Sequence, residues 1–171
     1  MNLYSKHTTP ESLYGYEQIR RKYAKPTLEM CQKLMDWNFH ENIVFNKFPY
    51  NFIQQSPDNL RVGGYLDLRN TPITHIGDNL RVGGNLDLRN TPITHIGDNV
   101  AVDEDVDLLG SSITHIGDNL EVGGNLDLRN TPITHIGDNL YVGYDLYIGN
   151  TPNLDKDNLP SDIQVGGRIK A

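Results

Sequence analysis

Residues 80–99 read LRVGGNLDLRNTPITHIGDN and residues 120–139 read LEVGGNLDLRNTPITHIGDN, a repetition broken only by Arg81 against Glu121. Residues 60–79 differ from 80–99 only in Tyr65 against Asn85, so the period is 20 residues. Residues 100–119, VAVDEDVDLLGSSITHIGDN, keep the second half of the unit and rewrite the first. Residues 140–159, LYVGYDLYIGNTPNLDKDNL, are looser. The final LPSDIQVGGRIKA restores the pattern after three extra residues, with Leu159 in the place of Ile136 and Ile163 in that of Leu140. Upstream, IQQSPDN at residues 53–59 reads as the tail of a degenerate first unit. A fixed period of this length is the signature of a repeat architecture and decides the fold before any other motif does.

Within one unit the apolar residues are Leu80, Val82, Leu86, Leu88, Ile93 and Ile96. Alternation at 80/82 and 86/88 is strand spacing, with Arg81 and Asp87 turned outward, and no unit carries a helical stripe. Gly83-Gly84, Gly97-Asp98-Asn99 and Thr91-Pro92 mark corners. A single such coil cannot bury its apolar face alone. Successive coils are expected to stack at about 4.8 Å, like side chains forming columns, in a right-handed solenoid of five to six coils over residues 57–171.

The pattern Leu86-x-Leu88-x-x-Thr91-x-Ile93-x-x-Ile96 resembles the core of leucine-rich repeats, and a 20-residue unit is similar to their short bacterial class. Thr71, Thr91, Ser111, Thr131 and Thr151 stand where that family has an Asn ladder. The fold expected is therefore mainly β, a leucine-rich-repeat-like parallel β-solenoid, with a three-sided parallel β-helix as the alternative. The variant LxVGGxLDLxxTxI also resembles repeats of phage and prophage proteins, which implies an origin and no activity.

Residues 1–56 are of another kind. Thr9-Pro10-Glu11 is a helix start, with a helix running to about Lys25, and Pro26-Thr27 opens a second from Leu28 to about Trp37. The stripe Leu28, Cys31, Met35 makes the second helix amphipathic, and the aromatic run Phe39, Phe45, Phe48, Tyr50 and Phe52 follows it. This segment is expected to cap the open end of the solenoid.

The 171 residues are 37% hydrophobic and 22% charged, a globular composition. The start, MNLYSKHTTP, has no apolar h-region and no stretch is long enough to cross a bilayer, so a cytoplasmic protein with no membrane partner is expected. Cys31 is the only cysteine, which excludes an internal disulfide and multi-cysteine metal sites. The net charge of −7 is unevenly spread: residues 1–56 carry seven Lys or Arg against five Asp or Glu, and residues 57–171 carry eight against seventeen. Such a solenoid repels phosphates, so no direct nucleic-acid binding is expected.

Three columns hold the chemistry. His75, His95, His115 and His135 stand one period apart. A zinc ion shared between coils is the sharper reading, but no Cys and no mixed His/carboxylate set breaks the repetition, so the column reads as one surface histidine copied by duplication. Asp67, Asp87, Asp107 and Asp127 run beside Arg69, Arg89 and Arg129 on one strand face, a self-neutralising surface or a concave binding face. The 100–119 rung departs from both neighbours: Asp103-Glu104 replace Gly-Gly, Asp105 replaces Asn, and Leu109 replaces Arg. Alternate residues of a strand do not converge on one point and no Gly-bracketed loop is present, so the series argues for a docking patch over a calcium site. Tyr141, Tyr144 and Tyr147 add aromatic side chains of the kind that dominate interfaces.

There is no GxSxG, P-loop or HExxH, and the carboxylates recur as ladders rather than as an isolated pair. No catalytic residue, cofactor or metal is expected. The function read from the sequence is a non-enzymatic protein-binding module, with Asp103, Glu104, Asp105, Asp107, Leu109, Tyr141, Tyr144, Tyr147, Arg89 and Arg129 as partner-binding residues. If the phage resemblance holds, it is an inhibitor of a host protein or defence system, acting in the host cytoplasm. The alternative is an acidic nucleic-acid mimic that blocks an enzyme such as a CRISPR or restriction complex. A homodimer through the C-terminal coil, burying Ile163, Val165 and Ile169, is a further expectation.

Overall fold

The computed structural model describes residues 43–44, 55–56, 58–154 and 159–171. The helical cap expected in residues 1–56, and the packing of its aromatic run, lie outside the described residues. From Leu60 onward every 20-residue unit folds as one turn of a parallel β-solenoid, and no described residue is helical.

Each turn contributes up to three two-residue strands, which stack on their counterparts into three parallel sheets. The first sheet has six strands, Arg61–Val62, Arg81–Val82, Ala101–Val102, Glu121–Val122, Tyr141–Val142 and Gln164–Val165. The second has seven: Leu66–Asp67, Leu86–Asp87, Val106–Asp107, Leu126–Asp127, Leu146–Tyr147 and Ile169–Lys170, with Ile43–Val44 paired parallel to Leu66–Asp67 at its start. The third has four, His75–Ile76, His95–Ile96, His115–Ile116 and His135–Ile136. Three sheets per turn make this the three-sided form of the solenoid. The Asp and Arg face is therefore one side of a three-sided coil.

Between Arg61 and Tyr147 the register is one period, as in Leu86 with Val106 and His115 with His95. It widens at the last turn, where Tyr141 pairs with Gln164 and Leu146 with Ile169, which absorbs the three extra residues. At the other end Gln55 bridges His75, the Ser56 hydroxyl accepts the Gly77 N–H at 2.8 Å, and Asp58 Oδ1 accepts the Asp78 N–H at 2.9 Å. Gln55, Ser56, Asp58 and Asn59 thus stack on the next turn as the degenerate unit's tail.

Alternation does what the sequence pattern asks. Leu80, Val82, Leu86, Leu88, Ile93 and Ile96 are all buried and join one continuous core with their counterparts, while Arg81 and His95 face out. Each such side chain stabilises the fold by about 1.5–3 kcal/mol. The corners turn on asparagine: Asn79, Asn99, Asn119 and Asn139 have φ between 56° and 59°, and Asn70, Asn90, Asn130 and Asn150 between 54° and 58°. Asparagine tolerates this left-handed region because its short side chain bonds locally. At the 100–119 turn Gly110 takes the same place with φ 67°.

The column at Thr71, Thr91, Thr131 and Thr151 is buried, and each hydroxyl donates to the carbonyl three residues back, at 2.6–2.7 Å. This satisfies the corner within its own turn. An Asn ladder would span turns; such ladders occur instead at the exposed corners, where Asn119 Nδ2 donates to Asn99 Oδ1 and Asn139 Nδ2 to Asn119 Oδ1, both at 3.1 Å.

Candidate functional site

The corner between the first and second sheets carries residues 103–105 and their counterparts. Backbone hydrogen bonds tie this edge turn to turn: the Gly124 N–H donates to the Glu104 carbonyl at 2.9 Å and the Tyr144 N–H to the Gly124 carbonyl at 3.0 Å. Tyr144 therefore stands two turns from Glu104 on one edge. On the turn between them the equivalent position is Gly124, so no side chain separates Glu104 from Tyr144 there, while Asn125 keeps the side-chain ladder of the corner. Two strand spacings set Glu104 and Tyr144 about 10 Å apart along the edge.

Tyr144 is 65% exposed, and with Tyr65 and Tyr141 it makes up the exposed large hydrophobic side chains among the described residues. Asp103 and Glu104 are also exposed. Asp105 is exposed but does structural work as well. Its N–H donates to Asn85 Oδ1 at 2.9 Å, and its own Oδ1 accepts from the Asn125 N–H at 2.7 Å and Nδ2 at 3.0 Å. The same ladder continues through Asn125 Oδ1 to the Asp145 N–H and through Asp145 Oδ1 to the Arg168 N–H.

The second sheet's outer face holds Arg89, Asp107, Leu109, Arg129 and Tyr147. Arg69, Arg89 and Arg129 each form a two-pronged pair with the Asp two residues before, Arg69 Nε at 3.0 Å and Nη2 at 2.7 Å from Asp67. The side chains also bridge turns, Arg69 Nε reaching Asp87 and Arg89 Nε reaching Asp107, both at 3.2 Å. Leu109 interrupts the series, which resumes at Arg129. Burial pushes the Asp107 carboxyl above the ordinary carboxylate value, opposed by the Leu109 N–H and by Arg89. Farther along, Tyr147 lies between two cations, Arg129 at 5.1 Å and Lys170 at 4.5 Å from its ring centre, and Lys170 also pairs with Asp145 at 2.6 Å. Tyr141 sits apart from both groups, outward on the first sheet.

The sequence-derived residues thus fall into a corner set (Asp103, Glu104, Asp105, Tyr144), an adjacent face set (Arg89, Asp107, Leu109, Arg129, Tyr147) and Tyr141 alone. Sequence reasoning missed Asp78, Asp98, Asp118 and Asp138. These exposed aspartates form a column on another corner, each Oδ1 of the first three accepting the backbone N–H of the next at 2.9 Å. The recurring Gly-Asp-Asn was legible as a turn. A Cβ on Gly117 would stand 2.7 Å from the Gly97 carbonyl, and Gly97 and Gly137 are similarly crowded, so the glycines before Asp98, Asp118 and Asp138 are required by the close approach of the turn below.

Among the described residues no group of three or more His, Cys, Asp and Glu is placed to hold a metal ion, and no helix is long and apolar enough to cross a membrane. A hollow of about 440 Å³ lies at the last full turn, lined by Ile148, Asn150, Thr151, Pro152, Leu154 and Ala171. None of these side chains titrates. Comparison with protein-family models, with curated proteins and with solved structures finds no match to this chain.

Proposed function

We propose that the chain is a non-enzymatic binding module whose acidic corner grips a basic segment of a partner protein. The observation that carries this reading is the placement of exposed Glu104 and Tyr144 two turns apart on one edge, with Gly124 between them. A Lys or Arg side chain laid along that edge would have carboxylates on one side and an aromatic ring on the other, combining ion pairing with a cation–π contact. Aromatic and charged groups in this arrangement are where interfaces concentrate their free energy. The neighbouring face, with Leu109 in place of an arginine, extends the surface.

The unit's resemblance to leucine-rich repeats supports a binding role over catalysis, and its resemblance to phage and prophage repeats supports only an origin. On that resemblance the partner is a host protein, bound and blocked in the host cytoplasm.

Affinity capture from host lysate with the wild-type chain, Tyr144→Ala, Asp103→Asn/Glu104→Gln and a Thr94→Ala control tests the reading. A protein retained by wild type and the control but lost by both corner variants supports it. A retained set unaffected by either corner variant overturns it.

A second reading is favoured by the column Asp78, Asp98, Asp118 and Asp138, which presents a regular row of carboxylates at the turn spacing. Such a row imitates a phosphate backbone and suits a nucleic-acid mimic that occupies the basic channel of an enzyme such as a CRISPR or restriction complex. Its binding would depend on the Asp column and fall steeply with salt.

A further inference from the structure

The outer face of the first sheet takes no part in either reading. Its outward positions are Arg61, Arg81, Ala101, Glu121 and Tyr141, one per turn and in unbroken parallel register. Strand spacing sets neighbours in this row about 4.8 Å apart. Arg61, Arg81, Glu121 and Tyr141 are exposed, and the small Ala101 between them is buried. On the second sheet Arg69, Arg89 and Arg129 each pair with an aspartate of their own turn. Among the described residues, the side chains of Arg61, Arg81 and Glu121 form no ion pair.

The row is complementary to its own reverse. Turned end for end about Ala101, it sets Arg81 opposite Glu121, Arg61 opposite Tyr141 and Ala101 opposite itself. Arginine facing glutamate is an ion pair, arginine facing a tyrosine ring is a cation–π contact, and the small residue falls at the centre. A two-fold axis requires this kind of self-complementarity of a surface. A copy laid on the row in the same direction would set arginine against arginine and glutamate against glutamate, which is unfavourable.

The next outward column is Gly63, Gly83, Asp103, Gly123 and Gly143, whose glycines leave the backbone open to a second sheet. Arg61 and Arg81 balance Asp103 and Glu121, giving a neutral face on an acidic solenoid. In the antiparallel arrangement Asp103 stands one turn from Arg81 of its own chain and one turn from Arg81 of the second copy. Those arginines offset the approach of the Asp103 carboxylates to each other about the axis.

We propose that the outer face of the first sheet is a self-association surface, on which a second copy of this chain lies antiparallel with the two-fold axis at Ala101. Arg81–Glu121 ion pairs and Arg61–Tyr141 contacts then repeat on either side of the axis. A face one short strand wide buries less than the roughly 1,200–2,000 Å² of a stable complex. Association is therefore weak and reversible, with a dissociation constant on the order of 100 µM. It makes no use of Ile163, Val165 or Ile169, so it is separate from any pairing of C-terminal coils.

Sedimentation velocity of the full chain at low salt, from about 10 µM to about 1 mM, tests the surface. Wild type is expected to pass from monomer to dimer across that range. Arg81→Glu and Glu121→Arg each set like charges opposite one another and are expected to weaken dimerisation at least about tenfold. Glu121→Arg also lowers the net negative charge, which alone favours association, so weakening there marks the specific pair. Arg81→Glu/Glu121→Arg exchanges the partners of each pair and is expected to return the dissociation constant to within about threefold of wild type. Ile169→Asp is expected to leave it unchanged. Circular dichroism checks that every variant folds. A wild type that stays monomeric across the range, a dimer indifferent to both single reversals, a folded double reversal that does not restore it, or a dimer that Ile169→Asp abolishes would overturn the proposal.

Discussion

Arg89 Nε reaches one turn along the second sheet to the Asp107 carboxylate at 3.2 Å, whereas Leu109, one turn on from Arg89, gives Asp107 only its backbone N–H, at 3.1 Å. The arginine series is broken at the acidic rung and resumes only at Arg129, and Asp107 carries the consequence. Burial raises its carboxyl pKa despite the Leu109 N–H and Arg89. A carboxyl raised in the folded state destabilises the fold at neutral pH, a cost relieved as pH falls through the folded value. Leu109→Arg restores the missing pair. It is expected to raise unfolding stability at pH 7 by about 0.5 kcal/mol, the gain fading as Asp107 protonates in acid. Denaturant titrations at neutral and acid pH check this; an equal gain at both, or a loss at pH 7, would contradict it.

Ser111 gives a second test. Its Oγ is the one buried side-chain polar atom among the described residues without a hydrogen-bond partner, while Thr131 in the same column donates to the Leu128 carbonyl at 2.6 Å. Thr131→Val should cost about 1–2 kcal/mol, because it removes a buried hydrogen bond at constant volume. Ser111→Ala should cost less than about 0.5 kcal/mol, because it removes none. Equal losses in chemical denaturation would show that the column's hydroxyls contribute through packing alone.

The Asp78 to Asp138 column places like charges opposite one another on successive turns, which is unfavourable at the surface. Asp98→Asn keeps the Oδ1 that accepts the Asp118 N–H and removes one charge. A rise in melting temperature at low salt that disappears near 1 M salt is expected, because exposed charges are then screened. No change at low salt would show that the column carries no strain.

How much of this was legible before the structure depends on which forces repeat in the sequence. The 20-residue period, the inward Leu80, Val82, Leu86 and Leu88 and the Asp87–Arg89 pairing follow from alternation alone, and all appear in the fold. The third strand did not. His95–Ile96 is two residues long, and Ile93 and Ile96 lie three apart, a spacing that shows no alternation. The asparagines at 70, 90, 130 and 150 mark corners through their backbone angle, which composition does not reveal. Glu104 and Tyr144 were legible as separate residues, but their shared edge emerges only when turns are stacked.

Ile163, Val165 and Ile169 pack against the core yet stay only half-buried. If two copies pair through them, light scattering at micromolar concentration gives twice the chain mass, and Ile169→Asp returns the monomer mass. A monomer mass for the wild type, unchanged by Ile169→Asp, would remove the dimer.

The most direct test of the acidic corner as a protein-binding site is the affinity of the captured partner for wild type and for Tyr144→Ala, measured at low and at moderate salt. Gripping of a basic segment between Glu104 and Tyr144 predicts that Tyr144→Ala weakens binding by tenfold or more, about 1.4 kcal/mol, at both salt concentrations. Affinity unchanged by Tyr144→Ala and lost with moderate salt alone would contradict it and leave the nucleic-acid mimic as the reading.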